Sequence, residues 1–121
     1  MKEILAIIRP KQVSRTKDVL EKLGFPGFTA GCVLGRGKQR GIAGEITCEL
    51  PADLHSVPGG SKYVPKRLVS LVVPDEDVEL VVKALIKVNQ TRQFGDGRIF
   101  VCPVDNVVRV RTNEEGDAAL K

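Results

Sequence analysis

The chain has three cysteines, Cys32, Cys48 and Cys102, and no two of them form a CxxC pair. A disulfide framework or a zinc site is therefore not expected, and the thiols read as small buried hydrophobes on strands. Aromatic residues are scarce, with four Phe, one Tyr and no Trp. That argues against an RNA-binding module of the βαββαβ kind, whose central strands need a stacking platform. His55 is the single histidine, and it stands alone in a loop-like stretch. No Ser-His-Asp order and no paired carboxylates are evident, and no nucleophile or base is placed by a motif, so nothing argues for an enzyme. No apolar run approaches the roughly 18 residues that a membrane-spanning helix needs. The opening MKEILAIIRPK is interrupted by Arg9, which is too early for a secretory signal, and no small-residue cleavage site follows. The chain is read as cytoplasmic, without membrane insertion.

What is present suffices for one domain, 1–121, with 42% hydrophobic and 28% charged residues. Lys and Arg number 19 against 15 Asp and Glu, a balance of +4 that does not demand nucleic acid.

The chain divides into two similar halves. ILAIIRP is an Ile-rich run that reads as a buried strand, and QVSRTKDVLEKLG places Val13, Leu20 and Leu23 on one helical face with Gly24 as the stop. TAGCVLG is the next strand. In the second half RLVSLVVP is a strand, Asp75 is placed to cap a helix, and Val78, Val81, Val82, Leu85 and Ile86 form its inner face. FGDG turns into the strand RIFVCPV, and VVRVRT predicts a further strand or edge hairpin. This order is an α+β, ferredoxin-like double βαβ sandwich with helices on one face of the sheet. The other face is left bare, and a bare apolar sheet face is usually hidden in an oligomer. Between the halves lies a segment, about 36–65, that is rich in Gly and Pro and has no period. It is longer than a compact domain ordinarily tolerates without a function for it.

Two clusters carry cations. GRGKQRG, Gly35 to Gly41, interleaves Arg36, Lys38 and Arg40 with glycines. It matches neither a Walker A motif nor GxGxxG, so a solvated basic turn and an anion site both remain open. GDGRIFV, Gly95 to Val101, sets Asp96 between two glycines ahead of Arg98, and Arg109 and Arg111 follow. Read on a strand, Arg109 and Arg111 share one face, either bare to solvent or around an anion such as a nucleotide triphosphate.

AIIRP, GRGKQRG, the VPK and VVPD that flank the central strand, and above all TRQFGDGRIFV continued by RVRTNEEGDAAL are similar to the PII signal-transduction family from end to end. The resemblance implies a homotrimer with the bare sheet faces turned inward, or a trimer shared with a PII paralogue. It implies a nucleotide site for ATP or ADP in each cleft between subunits. MgATP with 2-oxoglutarate then reshapes the long segment, the T-loop, which docks on or releases a target. Matched residue by residue, the nucleotide set is Ile7, Gly27, Phe28, Thr29, Lys38, Gln39, Val72, Gly95, Asp96, Gly97, Arg98, Arg109 and Arg111. The 2-oxoglutarate set is Gly37, Gln39, Arg40, Gly41 and Lys66, with Gln39 also helping to hold Mg²⁺.

The loop ITCELPADLHSVPGGSKYVPKR departs from the common family pattern. It is several residues longer and has no tyrosine near its apex, since Tyr63 sits at the exit. MKEILAIIRP, GFPGFTA, VLGRGKQRG and KYVPKR look most like the PII proteins encoded among nitrogen-fixation genes, and this implies nitrogenase as the target. A general PII protein acting on an ammonium channel or the glutamine synthetase pathway is the alternative.

Overall fold

The computed structural model describes residues 1–36 and 63–121. The first strand, β1 (Lys2–Ile8), alternates as a half-buried strand should, with Ile4, Ala6 and Ile8 directed into the core. Pro10 ends it and opens a short 3₁₀ turn that leads into α1 (Val13–Lys22). Leu20 is fully buried, and Gly24, at φ 91°, closes the helix with its amide on the Glu21 carbonyl. β2 (Thr29–Gly35) follows. The chain returns in β3 (Val64–Val73), α2 (Val78–Asn89) and β4 (Arg98–Pro103).

The strands form one antiparallel sheet in the order β2-β3-β1-β4. Both helices cover the same face. There Ile4, Ala6, Ile8, Val69, Leu71 and Val73 of the sheet meet Leu20, Val81 and Leu85 in one cluster. A polar bridge joins the helices inside this layer: Asn89 Nδ2 donates to Thr16 Oγ1 at 3.2 Å, and Thr16 Oγ1 donates to the Gln12 carbonyl at 2.8 Å. This is the expected ferredoxin-like arrangement. By strand alternation the opposite face carries Leu5, Ile7, Val33, Leu68, Val72 and Phe100, and no described helix covers it.

Several local expectations are corrected. Asp75 does not cap α2. It opens a 3₁₀ turn, Asp75–Asp77, and its carboxylate pairs with the Met1 amino group at 2.9 Å. Ile86 is not buried with the rest of the inner face of α2: it is 43% exposed and borders an open groove with Ile99 and Val101 of β4. Neither described cysteine is a buried strand hydrophobe: Cys32 is exposed and disulfide-bonded, against the expectation of no disulfide, while Cys102 is free and half-buried. VVRVRT forms no regular strand and takes the hairpin alternative in its shortest form. One bridge, Val108 to Glu115, closes a tight turn in which the Asn113 amide bonds the Arg109 carbonyl at 2.9 Å. Arg109 and Arg111 therefore share no strand face.

Candidate functional site

β1 and β3 place Ile7 opposite Leu68, and β4 enters with Arg98 beside Ile7. Gly35 at the end of β2 lies opposite Val64 at the start of β3. The ends of all four strands thus converge at one edge of the bare face. They line a cleft of about 580 Å³ whose walls include Ile7, Gly35, Lys66, Gly95, Gly97 and Arg98. Two of its walls, Gly35–Arg36 and Val64–Lys66, are the stems of the segment 37–62. The cleft therefore lies against described residues on both sides of that segment.

The glycines here have steric reasons. Gly97 has φ +109°, and a Cβ on it would sit 1.7 Å from the Ile7 carbonyl oxygen. Only glycine brings the turn this close to β1. Gly95 has φ 101°. Among the described residues, the Gly95 and Gly97 amides donate to no backbone carbonyl outside the strand ladders, which leaves them as donors for an anion. Lys66 is 7% exposed, and its Nζ donates to the Gly95 carbonyl at 2.5 Å. Arg98 is exposed at the cleft wall. Apolar walls, free amides and two cations suit a flat heterocycle carrying phosphates.

Asp96, by contrast, turns away from the cleft's donors. Its Oδ2 accepts the amides of Thr91 at 2.7 Å and Arg92 at 2.8 Å, and its Oδ1 accepts Thr91 Oγ1 at 2.5 Å and Arg9 Nη1 at 2.6 Å. Partial burial pushes its pKa up, but the hydroxyl and amide bonds of Thr91, the Arg92 amide and the Arg9 guanidinium outweigh that and hold the carboxyl down at about 2. Its lone pairs are spent inside the protein.

Of the sequence-assigned residues, Ile7, Lys66, Gly95, Gly97 and Arg98 come together in this cleft. Gly27, Phe28, Thr29 and Val72 do not. Thr29 pairs with Ser70, six residues along β2 from Gly35, and at about 3.3 Å per residue that separates them by ~20 Å. The chain also leaves β4 at that far end, where Pro103 pairs with Lys2, before it reaches Arg109 and Arg111. Arg109 Nη1 bonds Glu114 at 3.0 Å, and Nη2 reaches the carbonyls of Ala118, Ala119 and Lys121. Gly37, Lys38, Gln39, Arg40 and Gly41 lie outside the described residues. Sequence reasoning missed Arg9, Thr91 and Phe94. The signal was an arginine placed directly after a buried strand, a position that solvation alone does not explain.

The sequence model of the family described as Nitrogen regulatory protein P-II matches residues 1–114. A Methanobacterium ivanovii protein named nitrogen fixation nifHD region GlnB-like protein 2 is 55% identical over 121 residues, covering 99% of each chain. A Methanococcus maripaludis protein of the same name is 54% identical, over 99% of this chain and 100% of its own. Nitrogen regulatory protein P-II 2 of Methanothermobacter thermautotrophicus is 43% identical over 124 residues, covering 99% of this chain and 97% of the relative.

Proposed function

The chain belongs to the nitrogen regulatory protein P-II family, and we propose that it works as a nitrogen-status sensor whose cleft binds ATP or ADP and, with MgATP, 2-oxoglutarate. The observation that carries this reading is the convergence of both stems of segment 37–62 on the cleft of Ile7, Gly35, Lys66, Gly95, Gly97 and Arg98. The site residues fit an adenine nucleotide: Ile7 and Val64 offer an apolar wall, the Gly95 and Gly97 amides offer donors, and Arg98 offers charge. Bound Mg²⁺ supplies a hard cation for phosphate and keto-acid oxygens. Gln39, assigned to it by resemblance, lies outside the described residues.

Lys66 couples the two ligands. Its ammonium already holds the Gly95 carbonyl at 2.5 Å, so a carboxylate drawn to Lys66 acts on the turn that receives the phosphates. Effector binding shifts the population of the long segment by its differential affinity for the segment's conformers, and a shift of this kind is typically worth about 1–3 kcal/mol. The separation of Gly27, Phe28, Thr29 and Val72 from the cleft supports a trimer, in which the neighbouring copy brings these residues and its own Arg109 and Arg111 to the nucleotide. The apolar strip of Leu5, Ile7, Leu68, Val72 and Phe100 supports burial of the bare face in that assembly. The target is nitrogenase: relatives that cover nearly the whole chain carry nitrogen-fixation names, and the altered long segment suits a target other than an ammonium channel.

The test is calorimetric titration of 2-oxoglutarate into the purified protein with and without MgATP. Binding of the keto acid only in the presence of MgATP is expected. Nucleotide binding with no keto-acid binding in either condition would reduce the protein to an adenylate sensor. Absence of nucleotide binding refutes the sensor reading.

A further inference from the structure

The turn 91–97 is heavily tied, and Arg92 carries its backbone strain. Arg92, Gly95 and Gly97 have φ of 66°, 101° and 109°. Backbone of this kind persists only where its surroundings over-determine it, and here most of the determination comes from β1. The Ile7 carbonyl lies directly beneath Gly97. Two residues on, Arg9 sends Nη1 to Asp96 at 2.6 Å and to Thr91 Oγ1 at 3.3 Å, and Nη2 to the Phe94 carbonyl at 2.9 Å. The Arg9 side chain is 11% exposed, and both of its terminal nitrogens bond the turn. It is a cation beside an anion-binding cleft that is not itself offered to the anion.

We propose that Arg9 is a positioning residue for nucleotide binding: through Asp96, Thr91 and Phe94 it sets the backbone of 91–97 so that the Gly95 and Gly97 amides and Arg98 meet the phosphates. The inference rests on the nucleotide reading above. The planar guanidinium is what allows one side chain to hold a carboxylate on one nitrogen and a carbonyl on the other. A lysine there keeps the charge but lacks the fixed planar fork that spans both acceptors. Asp96 is thereby reassigned from nucleotide contact to the anchor that Arg9 grips. Its two backbone acceptances, from Thr91 and Arg92, transmit the grip to the start of the turn, while Lys66 holds Gly95 from the β3 side. A turn ordered before binding spares the ligand that ordering cost, so the benefit falls on the part of the ligand that the turn reads, the phosphates.

The experiment measures adenosine, ADP and ATP affinities of the full chain by calorimetry and competition, for the unaltered protein and for Arg9→Met, Arg9→Lys and Thr91→Val. Thermal melting and circular dichroism confirm folding. Arg9→Met is expected to lose about tenfold or more in ATP affinity, with adenosine within about twofold, and Arg9→Lys to recover part of the loss. A generally destabilised protein lowers all three ligands together, so the gradation with phosphate number marks positioning. Equal losses for adenosine and ATP, or unchanged ATP affinity in folded Arg9→Met, overturn the proposal. If Arg9→Met does not fold, Thr91→Val decides. It removes the hydroxyl between Arg9 and Asp96 and is expected to cost ATP about threefold with adenosine spared; a flat profile overturns the proposal. Failure of the unaltered protein to bind ADP and ATP is a separate result, and it removes the nucleotide reading together with this inference.

Discussion

Asp96→Asn tests the energetics of the turn directly. The carboxylate accepts four hydrogen bonds, from Thr91 N, Thr91 Oγ1, Arg92 N and Arg9 Nη1. They lower its pKa from 3.8 to about 2. A difference of that size between folded and unfolded states is worth about 2 kcal/mol of stability. Because the folded pKa is the lower one, the contribution is present in full above the unfolded value near 3.8 and is lost as pH falls from there through about 2. An amide keeps the shape but carries no charge, and it turns an NH₂ toward donors that need an acceptor. Asp96→Asn is therefore expected to destabilise the protein by about 2 kcal/mol near neutral pH. The difference from the unaltered protein should shrink to under about 1 kcal/mol near pH 2, where the native carboxyl is itself half protonated. Urea denaturation of both proteins at equal concentration, followed by circular dichroism across this range, measures it. Comparing the two proteins cancels the acid response of the other low-pKa carboxylates, Asp75 and Glu79. A stability difference that stays constant from neutral to acid pH would refute the reasoning, because it would show that the carboxylate charge is not what the turn uses.

Three further outcomes are expected. Gly97→Ala places a methyl 1.7 Å from the Ile7 carbonyl in a left-handed backbone, and should cost at least about 2 kcal/mol, read as a lowered melting temperature. Lys66→Ala should weaken 2-oxoglutarate more than ATP in the calorimetric titration; equal losses contradict the role assigned to it. Arg109→Ala removes the bonds to Glu114, Ala118, Ala119 and Lys121, so hydrogen exchange of the segment Gly116–Leu120 should rise at least about tenfold while β1 and β3 stay protected.

The order of strands and helices, and the bare sheet face, were legible in the sequence. Alternating Ile4, Ala6 and Ile8 and the periodic Val81 and Leu85 are buried as their spacing requires, because burial of apolar surface acts residue by residue along one element. The residue types of the cleft were legible for the same reason, since glycine pairs and cations advertise close backbone approach and anions locally. Where local signals compete, the sequence was ambiguous. Asp75 had the composition of a cap but found the Met1 amino group, which only the sheet brings near. VVRVRT had a strand's alternation but closes on Glu115 as a turn, so the arginine pair lost its common face.

Three matters were left to the tertiary structure, all of them set by contacts far apart along the chain. Antiparallel register put Ile7, Gly35, Lys66 and Arg98 at one end of the sheet and left Thr29 and Val72 at the other. A contact between positions 9 and 96 turned the arginine that ends β1 into the holder of the glycine turn, and took Asp96 out of the cleft. And Gly97 became irreplaceable through the Ile7 carbonyl beneath it, a neighbour no spacing along the chain announces. Periodicity reports which face of an element is buried, whereas the partner a side chain meets depends on how strands are registered, and that is decided only when the whole sheet closes.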